Sequence, residues 1–339
     1  MAEEINFRNI SSIDLLLVYP LYAKRLVAKM TRIRNTFRNY RSILKDIRSK
    51  RYPVEAIMRS NGQKMMLNNN ELAFIAYCNG YEKQVAYDLE NDIVVLTLNA
   101  SFFSQGSNRQ NYYDDDNKKE GEIKLYGAIN NGDIVSVFLH EDYRRLPIRD
   151  KTVIDVGANI GDSSIYFALR GAHQVIALEP FDNNYQLAKK NIHINYLWDK
   201  IVLLQAGCGS KEGGKITIDP NQQTSTISRL VSSQHGTSTI DLMSIKDIVG
   251  KYDVKQGSIL KIDCEGCEYD VILSAPTQTL QIFSHIQIEY HYGYNNLKEK
   301  LQKSGFKVST TIPKTDPKGV FRQPPYQKNY VGMLYAIQT

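Results

Sequence analysis

Carboxylates and one histidine end two apolar, strand-like runs near the end of the chain. Side chains alternate along a strand, so Glu289 and His291 share one face of the second run. Such polar groups are costly to bury in a central strand unless they reach a ligand or each other. A catalytic site is therefore expected at this edge of the fold. Its five candidate side chains are Asp263, Glu265, Glu268, Glu289 and His291.

Each of these side chains has a predicted role. His291 is the first candidate for a general base because its unperturbed pKa lies near neutral pH, and a core histidine satisfied by Glu289 is the alternative. Asp263 or Glu265 is the second candidate for the base, and Glu268 and Glu289 are predicted to bind substrate. A divalent cation held by Asp263, Glu265 and Glu268 is a further alternative, since carboxylate oxygens are ligands for hard cations.

A glycine-containing turn earlier in the chain is typical of a nucleotide site. The β-branched run 153–156 is predicted to be a buried parallel strand. Gly157 and Gly161 mark a tight turn where backbone can approach a ligand closely. Glu179 ends the next apolar run, about twenty residues beyond the glycines, where nucleotide-binding α/β folds place the acid that binds the ribose hydroxyls.

The composition of that turn separates two cofactors. A nicotinamide site needs G-x-G-x-x-G to hold a pyrophosphate at a helix N-terminus, but Asn159 stands where the second glycine would be. Asp155 adds a carboxylate, which repels phosphate and suits an ammonium group. S-adenosylmethionine has a ribose, an ammonium and no phosphate, so it is the predicted cofactor; an ordinary strand–turn–helix is the alternative. The predicted cofactor-binding residues are Asp155, Gly157, Asn159, Gly161 and Glu179, with Gly207 and Cys208 in a later small-residue turn around the adenine.

Strands and helices alternate from residue 152 onward, which predicts an α/β fold. The expected architecture is a doubly wound, mostly parallel, seven-stranded Rossmann-like sheet. In such sheets ligands bind at the C-terminal ends of the strands. Five of the candidate residues fall at such ends, and this coincidence across several strands is stronger evidence than any single motif. They are Asp155, Glu179, Asp263, Glu265 and His291.

The first part of the chain has a different character. Residues 1–51 are predicted to form a basic helical arm, with twelve basic and four acidic residues, and Pro20 is expected to kink or divide it. Residues 52–122 are expected to form a small α+β or β-rich region with a mobile loop at 104–121. Residues 123–339 then form the α/β domain.

Three partners are open for the basic arm. It is predicted to dock or to join a homo-oligomer, to lie on an anionic membrane surface, or to contact nucleic acid, which is the less favoured of these. Elsewhere, the runs 123–126 and 133–138 flank Asn-Asn-Gly at 130–132, which predicts a hairpin. The Ser- and Thr-rich segment 222–236 is expected to be a surface loop or part of a lid.

The cysteines and the apolar runs bear on localisation. Four cysteines are too few for a disulfide scaffold and fit a reducing compartment. Cys264 and Cys267 form a C-x-x-C in which packed thiols are expected ahead of a zinc site or a redox pair. No secretory signal is visible, and no apolar run approaches the roughly 18 residues that span a bilayer. A cytoplasmic location is expected, with contact at the inner membrane surface as the alternative.

Four segments together resemble the FkbM-type methyltransferases of the class I S-adenosylmethionine-dependent superfamily. The resemblance covers about residues 123–339 and leaves the first 120 residues outside it. Cys264 and Cys267 depart from the family's pattern, which usually has small apolar residues at those positions. The segments, in chain order, are 153–161, 178–180, 260–268 and 288–291.

The resemblance implies transfer of a methyl group from S-adenosylmethionine to a hydroxyl of a saccharide, glycolipid or small natural product. It also implies that Asp155 and Gly157 lie near the methionine end of the cofactor and Glu179 on its ribose. An RNA methyltransferase that uses the basic arm to hold phosphates is the main alternative. A degenerate methyltransferase fold that acts as a binding module is the non-enzymatic alternative.

Overall fold

The computed structural model describes five stretches of the chain. The predicted mobile loop at 104–121 and the predicted surface loop or lid at 222–236 lie wholly or almost wholly outside them. The described stretches are 9–103, 120–210, 214–218, 238–314 and 330–339.

The N-terminal part, as described, consists of three helices and five short strands. Two small antiparallel sheets form, one of β1 and β2 and one in the order β3-β4-β5. The elements are α1 (Ser12–Thr36), α2 (Tyr40–Arg48), β1 (Val54–Ile57), β2 (Lys64–Leu67), α3 (Asn69–Cys78), β3 (Val85–Asp88), β4 (Ile93–Asn99) and β5 (Glu120–Tyr126).

A seven-stranded sheet organises the rest of the described chain. Its strand order is β14-β15-β13-β12-β6-β7-β8, and only β15 runs antiparallel to its neighbours. The predicted doubly wound, mostly parallel sheet is therefore confirmed. The strands of the sheet are β6 (Thr152–Val156), β7 (Gln174–Leu178), β8 (Ile201–Leu204), β12 (Ser258–Ile262), β13 (Phe283–Tyr290), β14 (Phe306–Thr310) and β15 (Gly332–Gln338).

Helices and a small side sheet complete this part. The side sheet has the order β10-β11-β9, so residues 207–208, predicted as part of a turn, instead form a short strand. The remaining elements are α4 (Asp162–Leu169), α5 (Asp182–Ile194), β9 (Gly207–Cys208), β10 (Gly214–Ile218), β11 (Ser238–Met243), α6 (Ile245–Lys251), α7 (Glu268–Ser274), α8 (Thr277–Leu280) and α9 (Asn295–Lys303).

The central strands are apolar on both faces because each face packs on its own layer. Val153 and Ile259 belong to one core cluster, which includes α4 and the N-terminal region. Ile154 and Leu260, their neighbours along the strands, belong to the other cluster, which includes α6, α7 and α9. Alternation along buried strands therefore gives two cores, one on each face of the sheet.

The predicted hairpin around residues 130–132 is wrong. The run 123–126 does form a strand, but β5 pairs with β4, and Val135–Leu139 forms a π-helical turn. Val135, Val137 and Phe138 are all buried. A strand would send adjacent residues to opposite faces, whereas this helical turn buries both Val137 and Phe138, and the ring of Phe138 contacts Tyr166 of α4. The predicted boundary at 122–123 falls inside β5.

The basic arm is helical, but Pro20 does not divide it. Helix α1 continues through Pro20 and ends near Phe37, which is fully buried and forms an isolated bridge with Met58. The backbone N–H of Arg38 then donates to the carbonyl of Ile57. The chain therefore leaves the helix where it gains sheet-like contacts. None of the helices in the described part of the chain combines the length and the apolar character needed to cross a bilayer.

Asn191 on α5 and Asn195 at its C-terminal cap attach the N-terminal sheet to this helix. The Asn191 amide accepts from the backbone N–H of Tyr126 and donates to its carbonyl, at 2.7 and 3.0 Å. Asn195 makes the same pair of bonds with Lys124, at 3.0 and 2.7 Å. These side chains satisfy the free backbone edge of β5, which would otherwise need water or another strand. The N-terminal sheet is thus held to this helix by side-chain to backbone hydrogen bonds.

A buried ion pair joins two central strands. Asp155 on β6 and Lys261 on β12 are register partners, and Lys261 Nζ lies 2.9 Å from Asp155 Oδ1. The second Asp155 oxygen accepts from the hydroxyls of Ser163 and Ser164, at 2.7 and 2.6 Å. Burial lowers the pKa of Lys261, but the charges of Asp155 and Asp263 outweigh burial and raise it. Lys261 is therefore charged and paired with Asp155.

The substitution Lys261→Met tests this pair. It should lower the free energy of unfolding by about 3–5 kcal/mol, because it leaves a buried carboxylate without its cation. Urea unfolding followed by circular dichroism measures the change. Lys255→Met is the matched control, since its ion pair with Asp253 is exposed and should contribute about 1 kcal/mol or less. Equal losses in both variants would contradict the assignment.

Candidate active site

A cleft of about 860 Å³ opens at the C-terminal ends of the central strands. This is the edge where doubly wound sheets bind ligands. Eight of the twelve predicted site residues line it, and they come from the ends of β6, β7, β12 and β13 and from β9. The eight are Gly157, Asn159, Glu179, Gly207, Cys208, Asp263, Glu265 and Glu289.

Gly157 lets two loops of the cleft touch. Its φ is +80°, a left-handed conformation that favours glycine. A Cβ at this position would lie 1.8 Å from the carbonyl oxygen of Asp263. Only glycine therefore allows the loop after β6 to pack against the loop after β12. The glycine is required by this contact between loops, which the sequence pattern did not reveal.

Glu179 lies at the end of β7 and is almost fully buried. Its two oxygens accept from the backbone N–H groups of Asn159 and Phe181, at 2.8 and 2.9 Å. Burial raises the pKa of Glu179 to about 7, although both hydrogen bonds oppose the shift. A carboxylate has about four acceptor sites, so Glu179 can still accept from ligand hydroxyls.

Asn159 places an unsatisfied acceptor in the cleft. Its Nδ2 donates to the carbonyl of Asn131, while its buried Oδ1 has no hydrogen-bond partner among the described residues. Buried polar atoms are rarely left unpaired. A ligand that donates a hydrogen bond, such as a hydroxyl or an ammonium group, would satisfy this oxygen.

Asp155 and Gly161 do not belong to the cleft lining that the structure describes. The carboxylate of Asp155 points to Lys261 and to two serine hydroxyls beneath the turn. Gly161 caps α4 with a φ of +86°. Both residues shape the turn from below. Their direct contact with a cofactor stays a prediction.

The predicted catalytic residues meet around His291, which is 4% exposed. His291 Nδ1 lies 2.9 Å from Glu268 Oε1, and its Nε2 lies 3.3 Å from Glu265 Oε2 and 4.0 Å from Asp263 Oδ1. Asp263 and Glu265 line the cleft, whereas His291 and Glu268 lie behind them. Glu268, and not Glu289, is the partner that satisfies the histidine.

Glu268 is fully buried and organises the loop after β12. Its Oε2 accepts from the backbone N–H of Gly266 at 2.8 Å, and its Oε1 accepts from the backbone N–H of His291 at 3.0 Å. It therefore joins the loop after β12 to the end of β13. Glu268 was predicted to bind substrate, but its position supports a structural task inside the protein.

The charges of this cluster decide its protonation. Burial lowers the pKa of His291, but its hydrogen bonds with Glu265 and Glu268 outweigh burial and raise the pKa to about 11. Burial raises the pKa of Asp263, although the charges of Lys261 and His291 oppose it. Burial and the charge of Asp263 raise the pKa of Glu289 to about 8. His291 is thus an imidazolium at neutral pH when only protein groups surround it.

The cluster also has the donor set of a cation site. One atom each from Asp263, Glu265 and His291 lies within 4.8 Å of the others. These donors differ from the three carboxylates proposed from the sequence, because Glu268 lies on the far side of the imidazole. A carboxylate in that position orients many metal-binding histidines.

Cys264 and Cys267 form a disulfide, so the expectation of two packed thiols is wrong. The intervening residues Glu265 and Gly266 both have positive φ values, +55° and +120°. This turn brings the two Cα atoms to 5.5 Å, within the range of disulfides. The other two cysteines, Cys78 and Cys208, are free and buried.

Sequence reasoning missed the contribution of α1 to this cleft. Arg25, Ala28 and Arg32 line it, although they precede the nucleotide-binding turn by more than a hundred residues. Their spacing of three and four residues places them on one helix face, which is a signal visible in the sequence. Lys261 was missed as well, and a lysine inside an apolar strand is a comparable signal.

The strand order and the cleft define a Rossmann-like methyltransferase fold. The family model of the methyltransferase FkbM domain matches residues 155–308. The matched stretch covers slightly less than half of the chain, and it is similar to the methyltransferase FkbM domain.

Two curated relatives are methyltransferases. Hexuronic acid methyltransferase AglP from Haloferax volcanii is 27% identical over 165 residues, which cover 49% of this chain and 66% of the relative. Methyltransferase 1 from Beauveria bassiana is 22% identical over 207 residues, which cover 53% of this chain and 82% of the relative. This chain thus spans slightly less than two thirds of the first relative's length.

Solved structures overlap only partly with the chain. A FkbM methyltransferase from Methylobacillus flagellatus KT shares 16% identity with a TM-score of 0.38, covering 59% of this chain and 46% of that one. Magnesium protoporphyrin IX methyltransferase from Synechocystis PCC 6803, solved with bound S-adenosylmethionine, shares 14% identity with a TM-score of 0.30, covering 61% of this chain and 77% of that one.

The protonation of His291 can be measured directly. Nitrogen-15 NMR of the imidazoles should show both nitrogens of His291 protonated at pH 8, because hydrogen bonds with Glu265 and Glu268 raise its pKa. His285 is the internal control, since burial and then the charge of Lys151 lower its pKa. A His291 signal that titrates near the ordinary value of about 6.5 would contradict the cluster's electrostatics.

Proposed function

We propose that this protein is an S-adenosylmethionine-dependent O-methyltransferase that acts on a hydroxyl of a saccharide. The observation that carries the proposal is the shared cleft. The same cavity is lined by Glu179, a carboxylate suited to binding ribose hydroxyls, and by Asp263, a carboxylate suited to accepting a proton. The FkbM family match supports methyl transfer.

The residues of the cleft suit S-adenosylmethionine. The free lone pairs of Glu179 can accept from the two ribose hydroxyls. The unpaired Oδ1 of Asn159 can accept from a hydroxyl or from the ammonium group. Gly207 and Cys208 line the side of the cleft where an adenine would meet backbone rather than bulky side chains. When bound, the cofactor supplies a sulfonium-activated methyl group.

A saccharide is the favoured class of acceptor. The relative from Haloferax volcanii is named for a hexuronic acid, and its similarity to this chain supports an acceptor of related chemistry. A glycolipid or a small natural product with a sugar hydroxyl belongs to the same class. Because fold alone does not determine substrate, the acceptor requires its own test.

Asp263 is our preferred general base. In the transfer, the hydroxyl oxygen forms a bond to the methyl carbon, the carbon–sulfur bond breaks, and the hydroxyl proton passes to a carboxylate oxygen. Asp263 lines the cleft, and burial raises its pKa, which makes it a stronger base than an exposed aspartate. His291 and Lys261 supply positive charge behind it. The base role predicted for His291 requires the imidazole to lose its proton first.

Two alternative functions are each supported by a specific observation. RNA methylation is supported by the basic residues of the arm, two of which reach the cleft. Assembly or membrane contact through α1 is supported by its exposed apolar side chains, among them Ile13, Leu16 and Val27. A homo-oligomer or a lipid surface therefore stays a proposal for the outer face of α1.

The substitution Glu179→Ala tests the cofactor site. It should weaken binding of S-adenosylmethionine by about 1.5–3 kcal/mol, because hydrogen bonds to a charged carboxylate are lost. Isothermal titration calorimetry measures the affinity. The control is Glu299→Ala, which removes an exposed carboxylate on α9 that pairs with Lys303. Unchanged affinity in Glu179→Ala would remove the ribose assignment.

The substitution Asp263→Asn tests the base. It should reduce kcat by about a hundredfold or more and should abolish the fall in kcat on the acid side of the pH profile. His291→Gln should lower kcat yet retain that acid limb, because the titrating group remains. If His291→Gln abolishes the limb instead, the histidine is the base.

The same measurement of kcat tests whether a divalent cation takes part in the reaction. With Asp263 as an unaided base, a chelator should leave kcat unchanged. Loss of activity on chelation, restored by Mg²⁺, would show that a cation held by Asp263, Glu265 and His291 acidifies the hydroxyl.

A further inference from the structure

Helix α1 presents a basic face to the cleft. Arg25, Ala28 and Arg32 are spaced so that they lie on one side of the helix, and all three line the cavity. The small side chain of Ala28 leaves space between the two arginines. On the adjoining wall, α3 contributes Asn70 and Tyr77.

Neither arginine is neutralised by the protein as described. Over residues 9–103 and the other described stretches, neither guanidinium forms an ion pair with a carboxylate. Arg32 instead lies over the ring of Tyr77, with its Cζ 4.2 Å from the ring centroid. Such a cation–π contact holds the guanidinium plane in place and leaves its N–H donors available.

Lys314 also lines the cleft, but unlike the two arginines its charge acts on carboxyl groups of the protein. The charge of Lys314 acts on Asp133 and Glu289 and opposes the rise of both pKa values. Lys314 is therefore partly compensated by neighbouring carboxyl groups.

Burial lowers the pKa of Arg25, so water does not fully solvate its charge. A partly desolvated cation gains most from an anion that enters the cleft.

We propose that Arg25 and Arg32 form a subsite that binds an anionic group, a carboxylate or a phosphate, on the methyl acceptor. The inference rests on the proposed methyl transfer to a saccharide and adds that this saccharide is acidic. The planar donor forks of arginine match either anion. The carboxylates at Asp263 and Glu265 repel the same group, so the anion is drawn to α1 while the hydroxyl is left to face Asp263.

A small acidic saccharide fits these observations better than RNA. The two arginines are turned into a cavity of about 860 Å³ that the cofactor must share. A polynucleotide binds along a charged track on the surface, for which the exposed basic residues of the arm would suffice without two arginines inside a cavity. RNA is nevertheless tested as a competing ligand.

Binding is measured by calorimetry in the presence of S-adenosylhomocysteine, so no turnover is needed. The probes are methyl β-glucuronoside, methyl β-glucoside 6-phosphate and the neutral methyl β-glucoside, with a short single-stranded RNA beside them. The wild type should bind one or both anionic glycosides about ten- to a hundredfold more tightly than the neutral one. If only one of the two anionic glycosides binds more tightly, its anion shows whether the subsite takes a carboxylate or a phosphate.

The double variant Arg25→Ala/Arg32→Ala should lose this preference and keep its affinity for S-adenosylhomocysteine. Arg25→Lys/Arg32→Lys should restore part of it, because charge returns without the planar fork. Lys24→Ala is the matched control, an exposed cation on the same helix. A wild type without anion preference, or an equal loss in Lys24→Ala, overturns the subsite. RNA binding that depends on the two arginines and is tighter than the binding of either anionic glycoside would overturn the inference that the acceptor is an acidic saccharide.

Failure of the proposed function gives a separate result. An intact anion preference together with no methyl transfer to any of the glycosides, or no binding of S-adenosylmethionine, would overturn the transferase proposal alone. Methyl transfer at equal kcat/KM to charged and neutral glycosides would overturn the subsite alone.

Discussion

The ion pair between Asp155 and Lys261 is the interaction on which the cleft depends. It joins register partners on β6 and β12 in a fully buried position. The ammonium of Lys261 also donates to the carbonyl of Gly157 at 2.9 Å. Gly157 in turn packs against the backbone of Asp263. One cation thus fixes both the turn after β6 and the loop after β12, which are the two sides of the site.

A second constraint follows from the first. The charge of Lys261 acts on Asp263 and opposes the rise of its pKa, while burial produces that rise. On the other side, the imidazole of His291 is held between Glu265 and Glu268. Two cations and three carboxylates therefore share a small, partly desolvated volume, where electrostatic interactions are strong. This arrangement keeps Asp263 ionisable at the cleft surface and leaves His291 as the charged group behind it.

The helical arm and the region that matches the FkbM domain both line the cleft. Asn9 donates from its side chain to the carbonyl of Tyr292 at 2.9 Å, and its own carbonyl accepts from the backbone of Tyr294. Asp14 accepts from the hydroxyl of Tyr294. These bonds hold the start of α1 near the end of β13, and the helix then runs past the cavity with Arg25 and Arg32 on its inner side. The segment outside the family match thus contributes to the lining of the cleft.

The sequence by itself determined the α/β class, the seven-stranded sheet and the edge at which the candidate residues collect. These features follow from local patterns, since buried parallel strands are apolar throughout and loops at their carboxyl ends carry the polar groups. Only the tertiary structure decided three further points: that Asp155 pairs with Lys261 beneath the turn, that His291 is held by Glu268, and that Arg25 reaches the cleft. The partners in these contacts are separated by many residues, so the side chain that neutralises a given charge depends on strand order and helix docking. No local pattern specifies either of these.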